Sequence, residues 1–363
     1  MNTSSIKAAV VGYGLAGRVF HCPYLTAVPG LELAAVVQRT GERAALDYPG
    51  IMLFRTVEEM LATPDIELVV VATPNDTHVQ VARQALLAGK HVVVDKPLAP
   101  TSQEAWELHQ LAAERKLILA PFHNRRWDGD FLTLRKLLQE GTLGRIVTVH
   151  SRFDRFRPHQ RTGSWKEAGG PASGLLFDLG PHVVDQAIAL FGVPQRITGS
   201  IRHDRDRTEI DDAFDLLLEY EIDNRALRYH CGATLLAAEP LPRFIVQGTR
   251  GCYIKLGLDP QEPTVLRGER PPRTDSGLPW LPEPESAWGR LTVARQSEEP
   301  IELKQSFLPT ETGDYRNFYV NVRDTLLGRA ALAVKAEDAV LVLRLLELAL
   351  QSSQQGKALP VRL

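Results

Sequence analysis

The chain has 363 residues, enough for two domains that each bury a core. A formal net charge of −2, with 44% hydrophobic and 24% charged residues, describes a soluble globular protein and argues against nucleic acid or an anionic membrane as partner. Cys22, Cys231 and Cys252 are odd in number and lack CxxC spacing, and the opening apolar run is too short for a leader or a membrane span, so a disulfide framework and a zinc site are not expected and the cytoplasm is.

From residue 6 to about 120, short apolar runs alternate with helical stretches. The runs are IKAAVV, LELAAVV, ELVVVAT, KHVVVD and LILAP, and residues 76–87 and 102–115 have apolar positions at helical spacing. Near-continuous Val-rich runs separated by helices predict a doubly wound parallel sheet covered on both faces, an α/β Rossmann domain over residues 1–121. After the first run, GYGLAG sets Gly12, Gly14 and Gly17 in GxGxxG spacing, with Tyr13, Leu15 and Ala16 between them. In a strand–turn–helix setting each glycine has a purpose: a tight turn, close approach to a pyrophosphate, and close helix–strand packing. A dinucleotide is therefore the expected ligand. The second run ends VVQRTGER, with Gln38 and Arg39 where an NAD-preferring site carries an acid for the ribose hydroxyls. Arg39 is either a solvated surface residue or the partner of a 2′-phosphate; the missing carboxylate favours NADP(H), with NAD(H) possible.

Past Pro121 the rhythm changes. A helix around Phe131–Leu138 precedes the runs RIVTVHSRFDRF, AFDLLLEYEI, RALRYHCGATLL and FIVQGTRGCYIKL, too close together for crossover helices. They predict an α+β domain over residues 122–363 with a large, mostly antiparallel sheet for substrate binding and oligomerisation. Residues 257–290, rich in Pro and charge, read as a surface excursion, and residues 337–353 as a closing helix. Between the first two of these runs lies FDLGPHVVD. Asp is a favoured N-cap and proline is tolerated in a first turn, so a helix starting at Asp178 is expected, with Asp178 and His182 on one side of it. The pair is either a cap and an ordinary histidine, or an acid and a base held for chemistry.

The stretch ATPNDTHVQVARQALLAGKHVVVDKP resembles the Gfo/Idh/MocA oxidoreductases, whose fifth strand ends in (Glu/Asp)-Lys-Pro, here Asp95-Lys96-Pro97. FHNRRWDGDFLTLRKLLQEG and RFDRFRP are similar to the subgroup that includes NADP-dependent scyllo-inositol dehydrogenases. The resemblance spans essentially the whole chain and implies a catalytic set of Lys96, Asp178 and His182. It further implies cofactor contacts from Thr73, Pro74, Asn75, His78, Lys96 and Asn124, and a cis bond at Lys96-Pro97. The reaction implied is hydride transfer between a nicotinamide and a secondary alcohol or ketone of a polyol or sugar. A neutral imidazole suits proton removal at an ordinary pKa near 6.5, and a lysine cation suits a developing alkoxide. Arg126, Trp127, Arg152, Arg155, Arg157 and Trp165 are candidates to border the substrate; no metal is expected. One departure stands out. Subgroup members carry Asp-Tyr-Phe-His in a central strand where this chain has Asp212-Ala213-Phe214-Asp215, which bears on the substrate if those side chains face the site. A non-catalytic sugar sensor on the same scaffold and an NAD-dependent glycosidase are the alternatives. A homodimer or homotetramer through the C-terminal sheet is expected, since an uncovered sheet face exposes apolar area.

Overall fold

The computed structural model describes residues 5–160, 167, 169–170, 172–295 and 301–362. It divides into two compact units. The first takes the chain up to Trp127 together with Pro260–Trp280 and Asp314–Leu341; the second takes Asp128–Asp259, Leu281–Gly313 and the chain from Val342 onward. Two segments far beyond residue 121 thus belong with the first unit. They are tied there by bonds such as Arg125 Nη1 to the Tyr315 hydroxyl (3.2 Å) and the Tyr315 N–H to Gln261 Oε1 (2.8 Å).

The first unit holds a parallel sheet of β1 (Ile6–Val11), β2 (Leu31–Val37), β3 (Met52–Phe54), β4 (Leu68–Val71), β5 (His91–Val94) and β6 (Leu119–Pro121). The spatial order is β3-β2-β1-β4-β5-β6, the doubly wound order in which ligands bind beyond the carboxyl ends of the strands where the winding reverses. Val10, Val70 and Val93 are fully buried, as strands covered on both faces require. The helices His78–Leu87 and Ser102–Arg115 pack on each other and beside the β4–β6 side of the sheet.

The second unit is built on nine strands: β7 (Ile146–Arg152), β8 (Arg196–Arg202), β9 (Ala213–Ile222), β10 (Arg225–Thr234), β11 (Phe244–Gly248), β12 (Gly251–Lys255), β13 (Gly289–Ala294), β14 (Leu303–Leu308) and β15 (Leu359–Pro360). Their order is β14-β13-β12-β11-β7-β10-β9-β8-β15, and among the described residues only the β7–β10 pair is parallel. The run read as a single strand from Phe244 turns at Thr249-Arg250 and becomes β11 and β12. Side chains alternate across this sheet. Val149, Leu218, Tyr229, Phe244 and Tyr253 are buried on the face that packs on the helices Gly174–Phe191 and Ala336–Gln355. The opposite face presents His150, Thr198, Asp215, Leu217, His230 and Ile245 around a cavity of about 440 Å³. Among the described residues no helix is long and apolar enough to cross a membrane.

Candidate active site

In the first unit the phosphate loop shows why each glycine stands where it does. Gly12 has φ +98°, and a Cβ there would lie 2.5 Å from the Ala72 carbonyl oxygen. A Cβ at Gly17 would lie 2.0 Å from the Gly12 oxygen, so these two glycines serve the protein's own packing. Gly14 differs: it is exposed, and a Cβ would meet nothing within 4 Å. The space left open there fits a ligand's close approach, flanked by exposed Leu15 and part-buried Tyr13 and Ala16. A helical segment follows from Ala16.

At the end of β2, Gln38 is spent on the loop itself. Its amide donates to the Thr40 carbonyl (2.8 Å) and accepts from the Ala44 N–H (3.0 Å). Arg55, which sequence reasoning missed, braces the same loop through the carbonyls of Gln38 and Gly41 and the Glu42 carboxylate. Arg43 pairs with Asp47 at 3.6 Å. Arg39 is exposed and makes no hydrogen bond or ion pair among the described residues, leaving its guanidinium for a ligand.

Thr73, Pro74 and Asn75 follow β4 at the same carboxyl end of the sheet, where the Thr77 hydroxyl donates to Thr73 Oγ1 (2.8 Å). His78 is buried, its ring between the carbonyls of Thr73 and Pro97. Lys96 is half-buried just past β5, and Lys96-Pro97 is cis. The Lys96 N–H donates to Asp95 Oδ1 at 2.8 Å. Burial would raise the pKa of Asp95, but the His21 ring 3.9 Å away, together with Lys96 and His78 nearby, brings it down to about 2. Asp95 is therefore an anion beside Lys96.

Asn124 is buried in the short helix Asn124–Trp127. Its neighbours are held in place: Arg125 pairs with Glu262, and Arg126 donates to the Ala333 carbonyl (2.8 Å) and to Asp338 (3.0 Å). Trp127 packs edge-on against Phe318. Arg126 and Trp127 are thus joined to the segment Asp314–Leu341 of their own unit.

In the second unit Asp178 and His182 share one helix, but it begins four residues earlier than the sequence suggests. The helix is Gly174–Phe191 with Ser173 as N-cap, so Asp178 is not the cap and Pro181 lies inside the helix. The cap comes from elsewhere in the chain. Asp211 accepts from the Leu176 N–H through its carboxylate (2.7 Å) and from the Leu175 N–H through its carbonyl (2.8 Å). Burial pushes the Asp211 carboxyl up to about 6, against the pull of that Leu176 bond. Gly174 has φ +84° and no room for a Cβ against this carboxylate. Gly180 faces Leu346, which a Cβ would approach to 2.9 Å. At about 100° per residue, 178 and 182 lie together on the side turned away from that contact. Asp178 is part-buried and His182 is 6% exposed, its ring 6.5 Å from that of Phe153. The buried Arg243 guanidinium lies over the Phe153 ring and bonds Gln186, one turn beyond His182.

The arginine candidates separate by strand parity. Phe153 is on the helix-covered face, whereas Arg152 is on the other, in ion pairs with Asp154 (2.8 Å) and Asp215. Arg155 and Arg157 continue alongside β10, their N–H groups donating to Thr234 (2.9 Å) and Leu235 (2.7 Å). Arg155 shares its parity with Phe153. Trp165 lies outside the described residues. Asp215 also pairs with Arg202 (2.8 Å) on the uncovered face, so the departure at this position acts away from the helix bearing His182. Asp212 is buried and bonds the N–H groups of Asp204 and Arg205. Among the described residues no group of three or more His, Cys, Asp or Glu could hold a metal ion.

Comparison with known proteins matches residues 6–123 to the oxidoreductase-family NAD-binding Rossmann fold and residues 135–363 to the C-terminal alpha/beta domain of the same family. The chain is 41% identical over 357 residues to the uncharacterized oxidoreductase YdgJ of Escherichia coli, covering 98% of this chain and 99% of that one. It is 36% identical over 355 residues to the scyllo-inositol 2-dehydrogenase (NADP(+)) IolW of Bacillus subtilis, covering 98% and 96%. An oxidoreductase structure from Yersinia pestis superposes with a TM-score of 0.90 at 40% identity, over 100% of this chain and 99% of that one. With both domains matched in order along a doubly wound sheet and a nine-stranded sheet, the chain belongs to the Gfo/Idh/MocA family of oxidoreductases.

Proposed function

We propose that the protein is an NADP(H)-dependent dehydrogenase that interconverts a secondary alcohol and a ketone on a polyol or sugar of the inositol kind. The observation that carries the reading is the Asp178–His182 pair on one side of one helix, with the other side fixed against Leu346 through Gly180. The residues of the first unit fit a dinucleotide: open space at Gly14 for the pyrophosphate, unengaged Arg39 for the 2′-phosphate, and Thr73, Pro74, Asn75 and Asn124 for the nicotinamide half. When bound, the nicotinamide supplies the hydride acceptor or donor.

The chain's own work is to move a proton and to stabilise charge. His182 takes the hydroxyl proton during oxidation and returns it during reduction. Asp178 holds the imidazole or a neighbouring substrate hydroxyl. Lys96 donates to the reacting oxygen as alkoxide character develops, with the Asp95 anion beside it favouring the ammonium form. Arg155 is the arginine candidate best placed to meet substrate, because its parity matches Phe153. The kinship with an enzyme named for scyllo-inositol and NADP(+) supports the substrate class and the cofactor. Inositols, aldoses and their keto forms offered with NADP(H) or NAD(H), with reduced-nicotinamide absorbance as readout, test the proposal. Turnover of an inositol or sugar is expected; none with any of these compounds would overturn it.

A further inference from the structure

His78 opens the helix His78–Leu87 and is fully buried. Its Nδ1 lies 2.8 Å from the Pro97 carbonyl oxygen and its Nε2 lies 2.9 Å from the Thr73 carbonyl oxygen. A carbonyl oxygen accepts and never donates, so each ring nitrogen needs its own proton to make its bond. A neutral imidazole has only one. In that form one nitrogen lone pair would face a carbonyl lone pair within hydrogen-bonding distance, in a place closed to water. We propose that His78 is held as an imidazolium whose two N–H groups clasp the end of β4, at Thr73, to the turn after β5, at Pro97, making it a positioning residue for Lys96.

The surrounding charges allow this. Asp95, one residue before Lys96, is held as an anion by its surroundings. His21 stands 3.9 Å from Asp95 through Nε2, and its Nδ1 meets the Tyr319 hydroxyl at 2.7 Å. On the β4 side the group facing the ring is the neutral Thr73, and Asp76 is exposed ahead of the helix. The part-buried Asp95 carboxylate, 3.9 Å from His21, supplies a negative charge in the neighbourhood of an imidazolium at His78. The clasp joins the segment that follows β4 to the residue adjoining Lys96. Losing either bond would free the Lys96 backbone to shift, while the phosphate loop would keep its own supports.

The full-length protein labelled with ¹⁵N-histidine decides the matter by long-range ¹H–¹⁵N correlation, with His78→Gln identifying the resonance by its loss. Both His78 ring nitrogens are expected to be protonated at about pH 8, where an ordinary imidazole is neutral. One bare ring nitrogen at that pH would overturn the proposal. The spectrum needs no substrate, so it stands even if the dehydrogenase reading fails, or if the variant does not fold and assignment comes from the backbone. The positioning role rests on that reading. A Gln amide carries both N–H groups on one nitrogen and cannot span two diverging carbonyls, so kcat in His78→Gln should fall at least about tenfold at saturating cofactor. An unchanged kcat would overturn it.

Discussion

Replacing Gly14 and Gly17 by alanine separates the two purposes that glycines serve in the phosphate loop. At Gly17 the new methyl would sit 2.0 Å from the Gly12 carbonyl oxygen, where ordinary contact begins at 3.4 Å. The backbone would have to move by more than an ångström, and overpacking of this kind costs about 1–3 kcal/mol. At Gly14 the methyl meets nothing within 4 Å, and the backbone is outside the left-handed region. Stability should therefore hold or rise by about 0.4–1 kcal/mol, because alanine loses less chain entropy on folding. The same methyl would stand where the pyrophosphate must approach, so NADP(H) affinity should fall at least tenfold, about 1.4 kcal/mol. Denaturant unfolding without ligand and a fluorescence titration with NADPH measure the two effects. A Gly14→Ala protein that binds NADPH like the wild type would refute the assignment of that space to the cofactor.

Arg39→Ala should weaken NADP(H) by about 1–3 kcal/mol, the loss of a charged hydrogen bond, and leave NAD(H) nearly unchanged; equal losses for both would count against a 2′-phosphate contact. Asp211 gives a stability prediction with a definite sign. Its folded carboxyl is raised to about 6, so between about pH 4 and pH 6 the folded state binds the proton more tightly and stability falls as pH rises, by up to about 3 kcal/mol. Asp211→Asn keeps an acceptor for the Leu176 N–H and should remove that slope, gaining on the wild type above about pH 6; parallel pH–stability curves would contradict it. The uncovered sheet face carries part-buried Leu217 and Ile245, with exposed Phe307 at the β14 edge, and we expect it to be buried against a second copy of the chain. Sedimentation showing a monomer at micromolar concentration would remove that expectation.

The Rossmann sheet was legible because buried parallel strands write themselves as continuous valine runs; β3 escaped because Met52–Phe54 is three residues long and half-exposed at the sheet edge. In the second sheet AFDLLLEYEI alternates cleanly and matches β9 residue for residue. RITGSIR gave no such signal: β8 is polar on its open face, and its Gly199 makes room for the Ala349 backbone. β14 is exposed along nearly its whole length and has no burial pattern to read. The start of the helix Gly174–Phe191 was misplaced for a different reason. Its cap acceptor is Asp211, far along the chain, so the local rule that favours Asp178 had nothing to register. Likewise Arg152 sits in a run of arginines that invites a ligand, yet strand parity turns it toward Asp215 on the far face. The order and spacing of Lys96, Asp178 and His182 were visible only through resemblance, because neither periodicity nor composition marks a proton acceptor.

Asp178 sits in the fifth position of its helix and caps nothing, so Asp178→Asn removes a carboxylate and leaves the helix start intact. The direct test of the proposed chemistry is kcat of this variant for NADP-linked oxidation of the best alcohol found by screening, at saturating cofactor. A carboxylate that orients the base or a substrate hydroxyl contributes to the transition state, so kcat should fall by about 10²-fold or more with unfolding behaviour and NADP(H) affinity unchanged. Wild-type turnover in Asp178→Asn would contradict the assignment of the Asp178–His182 pair to catalysis.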